Sequence, residues 1–180
     1  TGEPFRVADA GVFPSASADG TLVYSLPRPG QRQLAWVDRD GTPGGRIGQP
    51  QDSMWAPSIS PDGSRIAVTG VEDSRPSIWM HEIARGAKSR LTLTNSAALD
   101  PAWHPTERRL VYQTGGWNLS AVSSDGGDPK MILSAAEPEY SPSWSLDGRY
   151  LVFGRFEREG KGDIWMLEHG ATEPKPVFNS

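Results

Sequence analysis

Short runs of apolar residues, many of them β-branched, alternate with polar residues along most of the chain, and Gly- or Pro-containing turns separate the runs. In the segment 77–83, for example, Ile78 and Met80 alternate with Trp79 and His81. A period of two residues is typical of a β-strand whose two faces have different surroundings. We find no stretch with apolar residues at helical spacing, so the pattern predicts an all-β protein.

The same pattern occurs four times at a nearly constant spacing. The equivalent turn positions, which carry Asp-Gly or a substitute for it, are Asp19, Asp62, Thr106 and Asp147. These turns are 43, 44 and 41 residues apart. A second set of positions follows on the predicted third strands, at Trp36, Trp79, Ser120 and Trp165, with steps of 43, 41 and 45 residues. Two independent sets with one period of about 40–45 residues indicate the blades of a β-propeller.

Each repeat is predicted to contain four short strands. In the second repeat these are 57–60, 65–69, 77–83 and 89–93, and the turn Ser60-Pro-Asp-Gly63 joins the first two. Pro suits the second position of a type I turn and Gly suits the fourth. The third repeat has Thr106-Glu107 in place of Asp-Gly, so we expect its blade to form with a looser turn.

The repeat motifs resemble those of TolB-like, or WD40-like, β-propellers. The matching segments are Ser60-Pro-Asp-Gly63 with Ile78-Trp79-Met80, and Trp144-Ser-Leu-Asp-Gly148 with Asp163-Ile-Trp-Met166. Such propellers occur in the periplasmic TolB protein, as gating domains of prolyl-oligopeptidase-type enzymes, and in bacterial serine/threonine kinases and related regulators. The segments 1–9, 17–24 and 36–41 are most similar to the kinase-associated group. The resemblance specifies the fold much better than the function, because this fold carries many activities.

We therefore expect one propeller region over residues 1–180, with four blades of four antiparallel strands at about 13–50, 55–93, 99–133 and 140–178. The segment Glu3–Ala8 resembles the outer strand of a preceding blade, so residues 1–12 are predicted to be that strand and a linker. This leaves one strand too many for a closed four-bladed ring. Either the chain is a fragment of a larger propeller, or two copies pair to close a ring with two-fold symmetry.

Composition excludes some classes of function and location. The net charge is −4 and no basic stripe is present, so nucleic acid is a poor candidate for a partner. No apolar run approaches the ~18 residues needed to span a bilayer, so we expect no membrane insertion. The chain has no Cys, which excludes disulfides, thiol nucleophiles and Cys-ligated zinc. It begins at Thr1, so we expect a processed chain or a fragment. The resemblance implies an extracytoplasmic, periplasmic location.

The motifs of common catalytic sites are missing from the sequence. We find no His-Glu-x-x-His, no Gly-x-Ser-x-Gly elbow and no phosphate-binding Gly-Lys-Ser/Thr loop. Recurrence of the Asp-Gly turns in the repeats favours a structural role over metal binding, because Asp accepts backbone hydrogen bonds in such turns. We therefore expect no catalytic residues, no metal and no cofactor, although a triad assembled from distant segments stays open.

The most promising binding residues precede the predicted first strands. Trp55 and Tyr140 occupy equivalent positions there, and Asp100 lies in the corresponding segment of the third repeat. Connections of this kind collect on one face of a propeller, so all three are candidates for contact with a protein or peptide. Packing between blades is the other explanation for the two aromatic residues. The leading hypothesis is a non-catalytic binding scaffold, and the rival is the gating or accessory propeller of a hydrolase.

Overall fold

The structure is a computed structural model that describes residues 12–16, 22–26, 31–134, 136–156 and 162–177. These residues form sixteen β-strands and no helix. The first eight strands are β1 Val12–Ala16, β2 Leu22–Leu26, β3 Arg32–Val37, β4 Pro43–Gln51, β5 Ser53–Ile59, β6 Arg65–Glu72, β7 Arg75–Glu82 and β8 Lys88–Arg90. The second eight are β9 Ala98–Trp103, β10 Arg109–Thr114, β11 Leu119–Ser123, β12 Lys130–Leu133, β13 Glu139–Trp144, β14 Tyr150–Phe156, β15 Gly162–Glu168 and β16 Lys175–Pro176.

The strands make four sheets, each built from four consecutive antiparallel strands: β1–β4, β5–β8, β9–β12 and β13–β16. The prediction of an all-β fold with four four-stranded antiparallel blades is confirmed. Asp73 and Ser74 join β6 to β7 with φ of 55° and 63°. Positive φ at both central residues is the geometry of a hairpin turn that matches the natural twist of the strands.

Among the residues that the structure describes, the buried apolar side chains form three clusters, each between two consecutive sheets. Every cluster combines one face of a sheet with the opposite face of the next, as alternation of side chains along a strand allows. The first contains Val23, Leu34, Ile47, Ile66 and Val68; the second contains Ala67, Ile78, Met80, Leu110 and Tyr112; the third contains Val111, Leu119, Leu151, Phe153 and Leu167. The first strands of consecutive sheets pack side by side, which places β1, β5, β9 and β13 along the inner edge of the assembly.

One predicted equivalence is wrong. The sequence repeat aligns Trp36 with Trp79 and Trp165, but the strand register differs in the first sheet. Trp36 pairs with Val23 of the first sheet. In the second sheet, Ala67 takes the place of Val23, and Ala67 pairs with Met80. Trp36 therefore takes the place of Met80 and packs towards the second sheet, while Trp79 packs back towards the first. A shift of one residue moves a side chain to the other face of its strand.

The fourth sheet leaves an apolar face exposed. Ile78 of the second sheet is fully buried, whereas Ile164, at the same place in the fourth sheet, is 46% exposed. Val177 is 41% exposed, and its counterpart Leu91 is 7% exposed. In the described chain, no sheet follows to cover this face. The predicted extra strand Glu3–Ala8 lies outside the described residues, and the division into repeats stays a prediction.

Candidate functional site

Three of the innermost strands are interrupted at the same place by a bulge. The register shifts between Trp55 and Ser58 in β5 and between Tyr140 and Ser143 in β13. In β9 the shift lies opposite Val111 and Gln113 of β10. Each bulge contains Pro, which lacks an N–H group and breaks the hydrogen-bond ladder of a strand. The residues before these prolines have positive φ, a conformation that is uncommon outside glycine. They are Ala56, Asp100 and Ser141, with φ of 48°, 51° and 50°.

The bulges line a groove of about 380 Å³ along the inner edge of the sheets, which we call the axial groove. Its wall is made of the segments 56–58, 100–102 and 141–143 together with Ser15, so all four sheets contribute. Small residues dominate this wall, and Asp100 is the only charged residue among the described residues that line it. The described wall of the axial groove therefore combines small side chains with a single carboxylate.

Asp100 is held in the groove by its backbone. Its N–H group donates a hydrogen bond to the Thr69 hydroxyl of the second sheet at 2.8 Å. Thr69 is fully buried, so this bond ties the third sheet to the second at the level of the groove. Burial raises the pKa of the Asp100 carboxyl above its usual value.

Trp55 and Tyr140 lie beside the groove and do not line it. Trp55 lies in β5, Tyr140 in β13 and Asp100 in β9, so the predicted position of all three in connecting loops is wrong. Trp55 pairs with Thr69, the residue that anchors Asp100. Tyr140 pairs with Gly154 and lies across it, since a Cβ atom there would come within 2.3 Å of the tyrosine ring.

Tyr140 also stacks on Phe156, with ring centroids 4.5 Å apart. Phe156 is 45% exposed, and both rings are on the fourth sheet. The structure therefore places Trp55 and Asp100 at the neighbouring bulges of β5 and β9, and Tyr140 at the bulge of β13. A role in binding stays a prediction for all three residues.

The Asp-Gly turns use their carboxylates to hold the turn. Asp62 accepts hydrogen bonds from the Ser60 hydroxyl at 2.6 Å and the Ser64 N–H at 3.0 Å. These bonds, the one from Ser60 foremost, lower the pKa of Asp62 to about 2. Asp147 accepts the same bonds from Ser145 and Arg149, at 2.6 and 3.1 Å. The geometry gives these carboxylates a structural task.

The turn of the third sheet is stabilised differently. His104 occupies the place of the serine, and its Nδ1 accepts N–H groups from Thr106 and Glu107 at 3.3 and 3.1 Å. The imidazole ring is 2% exposed and packs edge-on against Trp144 of the fourth sheet, with centroids 4.5 Å apart. An imidazole thus replaces the Asp side chain as the acceptor of this turn.

His104 also belongs to the one cluster of possible metal ligands in the described part of the chain. Ligand atoms of His104, Glu107 and His169 lie within 4.8 Å of one another. Because Nδ1 of His104 accepts hydrogen bonds, a neutral ring carries its proton on Nε2, the atom that faces Glu107. Arg109 pairs with Glu107 at 2.8 Å and contacts His169, which places a fixed positive charge in the cluster. Both features disfavour a bound cation. The sequence repeat could not reveal the cluster, because its residues come from different parts of two repeats.

Four antiparallel sheets packed face to face, with their first strands side by side around a groove, define a β-propeller. Residues 19–179 match the TolB β-propeller domain. The chain belongs to this family.

The relatives share the repeat at moderate identity. The chain is 26% identical over 134 residues to the TolB homolog of Chlorobium chlorochromatii, covering 73% of this chain and 30% of that protein. It is 27% identical over 149 residues to the Tol-Pal system protein TolB of Bordetella pertussis, covering 81% and 34%. The chain thus spans about a third of the length of the curated relatives it matches.

Solved structures show the same fold. The structure of a putative TolB from Agrobacterium tumefaciens superposes with a TM-score of 0.79 at 20% identity, covering 91% of this chain and 63% of that one. A prolyl endopeptidase structure superposes with a TM-score of 0.67 at 14% identity, covering 97% of this chain and 30% of that one.

The described residues contain no helix long and apolar enough to cross a membrane.

Proposed function

We propose that this protein is a non-catalytic scaffold that recognises a protein or peptide through the face on which the axial groove opens. The carrying observation is the groove itself, because the bulges of the second, third and fourth sheets, together with Ser15 of the first, place different side chains around one opening. Such an arrangement displays variable residues on rigid strands, which suits recognition. The relationship to a Tol-Pal system protein supports a protein partner.

The binding surface is proposed to extend from the groove to Trp55 and Tyr140. Asp100 lines the groove directly, and the two aromatic residues precede the equivalent bulge residues Ala56 and Ser141. Aromatic side chains are frequent anchors of protein interfaces, because they bury a large area at low cost in conformational entropy.

A peptide-display selection on the immobilised protein tests this function. We expect binding peptides to be enriched, and Trp55→Ala and Tyr140→Ala to weaken their binding while the protein stays folded. Trp117→Ala is the matched control, because Trp117 is 52% exposed at a hairpin and does not line the groove. An unfolded Trp55 or Tyr140 variant would show that this aromatic residue is part of the core. A library that yields no binder would refute peptide recognition.

The second candidate function is that of the gating or accessory propeller of a hydrolase. The similarity of the fold to a prolyl endopeptidase structure favours it. This function requires a nucleophile elbow, and residues 1–180 contain none. Reading the gene on either side separates the candidates: a hydrolase domain supports this one, and a kinase or DNA-binding regulator supports the scaffold. Hydrolysis of ester or peptide substrates that is lost on mutation of one Ser or His would refute the scaffold.

We propose further that another blade covers the exposed face of the fourth sheet around Ile164 and Val177. That blade belongs either to a second copy of the chain or to a larger ring. Light scattering of the purified protein distinguishes a dimer from a monomer. The proposed location is extracytoplasmic, which fractionation of cells expressing the full-length gene tests; a purely cytosolic protein would contradict it.

A further inference from the structure

Three innermost strands adopt one backbone conformation with three different side chains. Ala56, Asp100 and Ser141 precede a proline, and their φ values differ by only a few degrees: 48°, 51° and 50°. Since alanine and serine satisfy this geometry, the bulge does not require a carboxylate. The charge of Asp100 is therefore available for a role other than supporting the backbone.

Among the residues that the structure describes, none that lines the groove beside Asp100 carries a counter-charge. The other residues that line the axial groove are alanines, prolines and serines. None of the described residues that line the groove beside Asp100 is a Lys, Arg or His, and burial raises the pKa of the Asp100 carboxyl. A partly buried carboxylate without a partner is less stable than one in water, and a cation that enters the site restores the lost interaction.

We propose that Asp100 anchors a cationic group of the bound peptide, either a Lys or Arg side chain or an N-terminal ammonium group, inside the axial groove. This inference rests on the proposed function and specifies the chemistry of the partner. A single carboxylate among hydroxyl groups matches one monovalent organic cation. A calcium ion, by contrast, usually takes six to eight oxygen ligands, often including several carboxylates. The small side chains around Asp100 leave the groove open to an extended segment.

The experiment uses the peptides selected on the wild-type protein in a buffer that contains EDTA. We expect them to share a cationic residue, and we expect replacement of this Lys or Arg by norleucine to weaken binding. Asp100→Asn and Asp100→Ser should each reduce affinity roughly tenfold or more, as loss of one partner of a desolvated charge pair does. Asp100→Ser introduces the residue that Ser141 shows to be compatible with this backbone.

Asp128→Asn is the control for net charge, because Asp128 is an exposed acidic residue that does not line the axial groove. Thermal melting of each variant verifies folding. Cationic peptides that bind the wild type and both Asp100 variants equally would overturn the anchor. Neutral or acidic peptides that depend on Trp55 would overturn it as well, while leaving the proposed function in place. A selection without binders refutes the function itself and the anchor with it.

Discussion

Alanine substitutions of two isoleucines at the same place in two sheets test whether the fourth sheet is covered in solution. Ile78 is fully buried between the second and third sheets, and Ile164 is 46% exposed on the fourth. Truncation of a buried isoleucine to alanine removes its contacts and leaves a cavity, which costs about 2–5 kcal/mol. We therefore expect Ile78→Ala to lower the free energy of unfolding by this amount.

For Ile164→Ala the expected loss is smaller. The three removed carbon atoms are about half buried, and water fills the space they leave. At roughly 0.8 kcal/mol for each fully buried methylene, the loss comes to about 1 kcal/mol. The two isoleucines lie at the same place on the third strand of their sheets, where Ile78 pairs with Thr69 and Ile164 pairs with Gly154. The larger difference between the sites is that a third sheet packs on Ile78.

Urea denaturation followed by tryptophan fluorescence measures both values. The protein should be compared at low and high concentration, because pairing of two copies would make the loss at Ile164 depend on concentration. Equal losses at the low concentration, where two copies are separated, would refute the reasoning, since they would show that Ile164 of the single chain is as buried as Ile78.

Three further predictions concern single residues. The turn bonds lower the pKa of Asp62 to about 2, so its ionised carboxylate stabilises the folded protein at pH values above about 4. This contribution is lost as the pH falls towards 2. The melting temperature of the wild type should therefore fall more steeply over that range than that of Asp62→Asn; parallel curves would contradict the assigned turn bonds. Burial, and to a smaller extent the nearby Lys88, lowers the pKa of His81 to about 4. Between pH 6.5 and 4 the imidazole is therefore protonated in the unfolded chain and neutral in the folded chain, which destabilises the fold. His81→Leu should abolish this part of the stability loss between pH 6.5 and 4, and an unchanged slope would show that His81 is accessible. Gly154→Ala should cost roughly 1–3 kcal/mol, because the added methyl group collides with the Tyr140 ring. Chemical denaturation should show that Tyr140→Ala relieves most of this loss, and additive effects would contradict the contact.

Much of the fold follows from the sequence because each sheet is specified locally. The Asp-Gly turns at Asp62 and Asp147 have short-range causes, and the structure shows the expected carboxylate bonds. The third turn forms through His104, which the sequence could not indicate because an imidazole has no fixed place in this motif. The position of Trp36 was missed for a different reason. A repeat in the sequence gives spacing, whereas the face of a strand depends on register, and one residue is enough to reverse it.

The axial groove was predicted only in part. The sequence predicts Asp100 as a binding residue, but its neighbours in the groove come from bulges that strand patterns do not describe. A signal was present in the prolines at 57, 101 and 142, since Pro inside a strand marks a bulge or an edge. That spacing would have located Ala56, Asp100 and Ser141 as the residues that face the groove. That no described residue brings a cation into the groove beside Asp100 depends on packing between sheets and needs the structure.

Each described sheet consists of four consecutive strands and borrows none from a distant part of the chain. Contacts within a sheet therefore join residues that are close in sequence, and such local topology favours rapid folding. Once residues 53–90 have left the ribosome, all strands of the second sheet are available. This sheet can then pack on the first before the third is synthesised. Synthesis from the N-terminus thus delivers the sheets in the order in which they pack.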